Sequence, residues 1–408
     1  MLTYSIHDER LTQTFSDDQA YEMIGMLLTS MRRSDPEVRE IVQLATWGLA
    51  SQRISSGPLE RWGEMLIDGI IQVLKITELE SVALSALVTI FSACPALVKC
   101  TTHWFTDVFQ LIFSKNVATR KTADTILNSV SELMQDNDFA TDSESMAKFI
   151  ALLSDNHTEN LNMLNGWGHL MILFGNRLHR TGYLNKMLSL AQESFNSGRL
   201  GQRIGAFKAW RRLIFNFSID GHLYNKKRIQ LILLPIWNSL KFEKSFAVRQ
   251  ACFETFMYLL FYLSHNGKDI LRSMFQSLIV PAMAFDHTES RLQQTFVTCI
   301  SRLLIPSSDD IISSTKFELL EESSEGICQR IGCAFPSEFW TAADFKALMH
   351  ILTSALPQID ETQDQCAAIW KAVNVYVQAG WEANHNDTLQ RISVMLGILQ
   401  KYSTMHNG

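Results

Sequence analysis

Five arginines pace this chain. Arg39, Arg120, Arg203, Arg249 and Arg291 each stand inside the first turn or two of an apolar helical pattern, shortly after a small or acidic residue. The gaps between them are 81, 83, 46 and 42 residues, and the first two are each close to twice 41. A helical period near 42 residues restricts the fold more than any compositional figure. It falls within the roughly 40 to 47 residues at which paired helices stack as HEAT or armadillo repeats. One hairpin of two short helices cannot bury its apolar faces alone, so neighbours share a continuous core and leave long faces to solvent.

The marker segments are helical in detail. Ser34-Asp35-Pro36 supplies a capping side chain and a first-turn proline, and Val38, Ile41, Val42, Ala45 and Leu49 follow at helical spacing. The outline returns at 116–120, 202–204, 245–249 and 288–291, and Glu80 to Leu87 and Asn160 to Leu170 fit two unmarked repeats, for seven in all. Period-two alternation is nowhere sustained, and His265-Asn266-Gly267-Lys268 reads as a helix–helix turn. The expected fold is an all-α, HEAT/armadillo-like α-solenoid superhelix. Residues 1–16 form a tail and 17–305 the array; 306–336 form an irregular connection, and 337–408 further helical repeats or a cap.

Hydrophobic residues make up 47% of the chain and charged ones 19%, too apolar a balance for a disordered protein. No apolar run approaches the roughly 20 residues of a membrane helix. Met1 to Gln13 carries Asp8, Glu9 and Arg10 where an export signal would be apolar, so a chain kept inside the cell and off membranes is expected. Seven cysteines, an odd number mostly within apolar helical patterns, suit buried thiols in a reducing compartment.

Chemistry-bearing motifs are sparse. There is no Gly-rich loop ending in Lys-Ser/Thr and no His-Glu-x-x-His. The pairs Cys94/Cys100 and Cys328/Cys333 lack a second ligand pair at zinc spacing. Asp136 and Asp138, or Glu321 and Glu322, fall in polar loops with no apolar pocket to raise a carboxyl pKa. Neither enzymatic activity nor a metal, cofactor or small-molecule substrate is expected. The tryptophans, including Trp47, Trp62, Trp104, Trp167, Trp210 and Trp237, mostly occupy apolar positions and are expected in the core.

Charge is distributed unevenly. Residues 1–169 carry 12 Lys/Arg against 22 Asp/Glu, residues 170–250 carry 14 against 3, and residues 251–408 carry 10 against 17. The middle is therefore strongly basic between acidic flanks. Lys208, Arg211 and Arg212, at i, i+3 and i+4, share a helix face and are expected in solvent together. Lys226, Lys227 and Arg228 open the next helix, and Arg177, Arg180, Lys186, Arg199, Lys241 and Lys244 fall near helix ends or loops. These twelve are candidates for binding DNA or a phosphorylated partner, since dense charge of one sign attracts phosphate and releases counterions. Arg203 matches the repeat marker, lies beside Ile204 and Phe207, and is expected to be structural. A protein-only adaptor, with acidic flanks holding basic cargo and the middle holding an acidic segment, is the other reading of the same charges.

Leu178-His179-Arg180 and Ala206-Phe207-Lys208-Ala209-Trp210 carry a resemblance. With Thr46-Trp47-Gly48-Leu49 upstream and Lys227-Arg228-Ile229-Gln230-Leu231 downstream, in the same order, the chain resembles the N-terminal HEAT region of the Rif family of telomere-associated proteins over about residues 30–290. The resemblance implies a nuclear scaffold on chromosomes and telomeres. The roles it implies are telomere maintenance, double-strand-break repair choice and control of replication origin firing, partly by recruiting a protein phosphatase. The family's phosphatase-docking motifs, a basic-Val-x-Phe type and a Ser-Ile-Leu-Lys type, are missing from this sequence, which sets phosphatase recruitment apart from the other implied roles.

Overall fold

The computed structural model describes residues 56–266, apart from 101, 132, 136–142 and 157–160, together with a few isolated positions nearer the two ends. The expected tail, the helix after Pro36, the markers Arg39 and Arg291, the connection at 306–336 and the helical group from 337 lie outside the continuously described residues.

Within the described stretch every regular element is an α-helix or a short 3-10 segment, and none is a strand. The α-helices are α1 (Ser56–Leu74), α2 (Glu80–Ala93), α3 (Leu97–Cys100), α4 (Trp104–Leu111), α5 (Val117–Val130), α6 (Ser143–Asp155), α7 (Leu161–Phe174), α8 (Tyr183–Phe195), α9 (Leu200–Ser218), α10 (Lys226–Phe242) and α11 (Phe246–Asn266). Helices α2, α5, α7, α9 and α11 begin 37, 44, 39 and 46 residues apart, which is the arginine period seen in structure. The architecture is all-α and HEAT-like. His265 and Asn266, expected in a turn, still belong to α11, and 267–268 lie outside the described residues. No described helix is long and apolar enough to cross a membrane.

The chain divides into two compact units, Met1–Ala191 and Gln192–Gly408. In the first, α2 packs on α5 and α5 on α7, so that first helices of successive hairpins lie side by side, while α6 lies against α7. Phe149 of α6 meets Phe105 and Phe109 of α4 at 5.6 and 5.3 Å and Phe174 of α7 at 6.5 Å, which makes one aromatic core of three helices. The indole N–H of Trp167 donates to the Met187 carbonyl in α8 at 2.7 Å, satisfying the polar end of a fully buried ring. His169, fully buried, holds Asp124 of α5 through Nε2 at 2.7 Å and has Ser131 Oγ 3.5 Å from Nδ1.

In the second unit α9 and α10 form an antiparallel hairpin. Arg203 meets Glu243 near one end, and the Arg228 guanidinium lies 5.1 Å over the Phe217 ring near the other. The turn between them places Asp220 at φ 50° and Gly221 at φ 72°, the left-handed region that glycine and aspartate tolerate best. Trp210 donates to the Ile232 carbonyl at 3.1 Å, repeating the device of Trp167 one hairpin later. Helix α11 packs on α9, with Thr255 Oγ1 donating to the Phe207 carbonyl at 3.0 Å, and on α10, with Cys252 Sγ reaching the Ile236 carbonyl at 3.3 Å. Full burial pushes the Cys252 thiol pKa up, so it stays neutral and acts as a packing group. Cys94 is also a buried free thiol.

The marker arginines have a local cause. Arg120 folds back to donate to the carbonyl of Ser114, six residues earlier, at 2.8 Å, and Arg203 donates to Ser197, also six earlier, at 3.0 Å. The side chain at that earlier position also receives the backbone N–H two residues on: Ser114 from Asn116, Ser197 from Arg199, and Glu243 from Ser245 ahead of Arg249. Arg120 and Arg203 thus close the turn that launches the first helix of a hairpin, a local reason for an arginine to recur at the repeat period.

Candidate anion-binding surface

The basic residues fall into two populations. In the first unit Arg177 and Arg180 are exposed on the 3-10 segment Gly175–Arg180, and Lys186 is exposed on α8. Gly175, at φ 47°, ends α7 in the left-handed conformation that turns the chain into this segment. In the second unit Arg199, Lys208, Lys226, Lys227, Lys241 and Lys244 are exposed. Arg228 is half-buried, and burial lowers its guanidinium pKa while Phe217 stacks beneath it.

The expectation that Lys208, Arg211 and Arg212 share a solvent face is corrected by the structure. Lys208 is exposed, but Arg211 and Arg212 are only 5% and 8% exposed. From Ala206 to Ser218, α9 is buried at every position except Lys208, because α10 and α11 cover it on several sides. Arg211 forms a close ion pair with Glu254 of α11, and both arginine charges bear on the buried Tyr258 hydroxyl. Arg211 and Arg212 are therefore withdrawn from the candidate surface. Arg249 is 8% exposed, and Arg203 pairs with Glu243 at 3.1 Å inside the hairpin.

This sorting leaves the surface field basic. Of the acids in 170–250, Glu243 is taken by Arg203, while Glu193 and Asp220 are exposed. Ten of the twelve candidates stay at least partly open to solvent against those two acids. In the second unit they gather at opposite ends of one hairpin. Arg199, Lys241 and Lys244 lie at the end where α9 starts and α10 stops, and Lys226, Lys227 and Arg228 lie at the other. Fifteen residues of helix, about 22 Å, separate Lys226 from Lys241.

Between those ends lies an exposed apolar face that includes Trp237, which was expected in the core. The outer face of α10 exposes Leu231 at 40%, Leu234 at 56%, Trp237 at 44% and Phe242 at 69%, while Ile229, Ile232, Leu233, Ile236 and Leu240 pack inward. Trp104, Trp167 and Trp210 are buried as expected; Trp237 is not. Its available signal was register: Trp237 falls one residue past Ile236 and off the inward stripe of 229, 232, 233, 236 and 240. The Lys241 ammonium lies 5.6 Å over Trp237 and 5.3 Å over Phe242. An open hollow of about 550 Å³ at this end is lined by Asn238, Ser239, Phe242, Glu243 and Lys244.

Sequence reading also passed over the juxtaposition of Ser131, His169 and Asp124, which sit on two helices in one unit. Ser131 and His169 are fully buried and the Ser131 hydroxyl is spent on the Leu127 carbonyl, so the trio clips α7 to α5 and offers no nucleophile to a substrate. Among the described residues no group of His, Cys, Asp and Glu could hold a metal ion.

A family model described as Rap1-interacting factor 1 N terminal matches residues 1–279. Over 252 residues the chain is 25% identical to the telomere-associated protein RIF1 of Homo sapiens, a stretch that is 58% of this chain and 10% of that protein. The Mus musculus protein of that name is 24% identical over 250 residues, again 58% and 10%. The Drosophila melanogaster one is 27% identical over 194 residues, 45% and 13%. The matched stretch thus spans about a tenth of the length of these relatives.

Proposed function

Because this chain belongs to the Rap1-interacting factor 1 N-terminal family, we propose that it is a non-enzymatic scaffold of nuclear chromosomes that binds DNA through its exposed bases. The observation that carries this reading is the excess of solvent-facing Lys and Arg over acid in residues 170–250, after the internally paired arginines are set aside. The relatives' name points to telomeres as the place of action. Telomere maintenance, double-strand-break repair and replication timing are the processes in which such a scaffold would serve.

A phosphorylated protein is the second reading, favoured by one feature. Lys226, Lys227 and Arg228 occupy the first turn of α10, where the positive end of the helix dipole adds to their attraction for a phosphate.

DNA binding across a salt series tests the first reading. The logarithm of affinity should fall linearly with the logarithm of salt, at about 0.9 per neutralised phosphate on duplex DNA. Changing Lys208, Lys226, Lys227, Lys241 and Lys244 together to Glu should lower affinity at least about tenfold and flatten that slope. Affinity indifferent to salt, or unchanged in this variant, removes the DNA reading. A phosphopeptide series on the same variant then decides the second.

A further inference from the structure

We propose that the outer face of α10 is a docking site for an acidic amphipathic helix of a partner protein. The proposal does not rest on the DNA reading above. Outward positions of α8, the corresponding helix one hairpin earlier, are Asn185, Lys186, Ser189, Gln192 and Glu193, the polar surface expected of a solvated repeat. On α10 the same kind of face carries Leu231, Leu234, Trp237 and Phe242, each at least two-fifths exposed. Exposed apolar side chains set in sequence along one helix, rimmed by polar groups, are the composition of an interaction surface.

The charges choose the occupant. Lys227, Leu231, Leu234, Asn238 and Lys241 follow one another at i, i+4, i+7, i+11 and i+14, so a single stripe has leucines at its centre and lysines at both ends. Helix α10 has no Asp or Glu, and Glu243 just beyond it is turned to Arg203. A partner helix with apolar anchors at i, i+3/i+4 and i+7 and acids on its flanks matches this face in both respects: apolar to apolar, carboxylates to Lys227 and Lys241. Trp237, clamped beside Lys241, is the residue type that dominates such contacts, and the open hollow after Asn238 gives the far end of the helix a place to seat. Nucleic acid is disfavoured at the centre of the stripe because leucines offer neither a stacking plane nor a charge.

The test uses the full chain and a fluorescein-labelled synthetic helical peptide with leucines on one face and glutamates on the others. Its scrambled isomer and single-stranded oligo-dT serve as comparisons. Anisotropy titrations should show saturable binding of the amphipathic peptide, at least about tenfold weaker for the scrambled isomer. They should also show at least about a tenfold loss when Leu231, Leu234 and Trp237 are all changed to Ser. These positions are partly exposed, so far-UV circular dichroism should be unchanged and the variant should stay folded, with a lowered unfolding midpoint. Lys227→Gln with Lys241→Gln should weaken binding several-fold and reduce its salt dependence. The triple serine variant keeps every base, so salt-dependent DNA affinity can be measured on it separately and a failure of either reading is recognised as its own. Four results overturn the proposal: equal binding of the scrambled peptide, peptide affinity untouched in the serine variant, oligo-dT binding that the serine variant abolishes, or self-association of the unliganded chain that the serine variant abolishes.

Discussion

Arg211 offers the sharpest division between a charge that binds a partner and a charge that holds the fold. Its side chain is 7% exposed and that of its partner Glu254 19%, and the carboxylate has one further polar neighbour, Gln250 Nε2 at 3.3 Å. Arg211→Ala removes the guanidinium and leaves the carboxylate largely out of water, a change that costs about 3–5 kcal/mol for a buried pair. The residual exposure of Glu254 and the Gln250 amide place the loss at the lower end, about 3 kcal/mol. Lys208, one turn earlier and exposed, should shift stability by no more than about 0.5 kcal/mol when changed to Ala. Urea unfolding followed by far-UV circular dichroism reads both. The double variant Arg211→Met with Glu254→Gln should recover most of the loss, because no unpaired charge then remains inside. An unchanged midpoint for Arg211→Ala together with weaker, less salt-dependent DNA binding would refute this assignment and return Arg211 to the surface.

Two further substitutions test the frame around the site. His169→Ala deprives Asp124 of its 2.7 Å partner between α7 and α5 and should cost about 2–3 kcal/mol, read as a lowered urea midpoint. An unmoved midpoint would mean that the clip contributes nothing. Gly175→Ala places a Cβ on a residue at φ 47°, with Gln135 Cγ 3.0 Å from it, and should cost roughly 1–2 kcal/mol and increase protease cutting after Arg177 and Arg180. A variant as stable and as resistant as the parent would show that the turn is unstrained.

The repeat was legible because it is written in local chemistry. A side chain that accepts the N–H two residues on recurs ahead of three described marker arginines, and in two of them, Arg120 and Arg203, the arginine closes onto the carbonyl six residues behind it, which leaves the same short pattern at those hairpin starts. What was not legible is the number of sides from which a helix is covered. The i, i+3, i+4 relation correctly places Lys208, Arg211 and Arg212 on one face, yet it cannot tell a solvated face from one closed by the next hairpin. A usable signal was present: Phe215 lies four residues beyond Arg211, so that stripe turns apolar where a solvated stripe would stay polar. The misplacement of Trp237 is the mirror image. Trp237 was expected in the core with the other tryptophans, but α9 and α11 meet the inward stripe of α10 and Trp237 lies off that stripe.

These two misreadings have a common physical root, and it alters how charge in a stacked-helix protein should be weighed. Stacking creates inner faces where an arginine is useful because its planar fork can satisfy several acceptors while its stem packs against apolar neighbours. Arg203 and Arg211 serve in this way and draw Glu243 and Glu254 to themselves. Such pairing removes acids from the surface as well as bases, so within residues 170–250 ten candidate bases and two acids, Glu193 and Asp220, stay open to solvent. Charge-reversal variants built from the sequence alone would mix both populations. Arg211→Glu would break the ion pair between α9 and α11, and any loss of DNA binding it caused would be mistaken for a lost phosphate contact. Only variants drawn from the solvent-facing bases, with stability shown unchanged, separate a partner surface from a scaffold bolt.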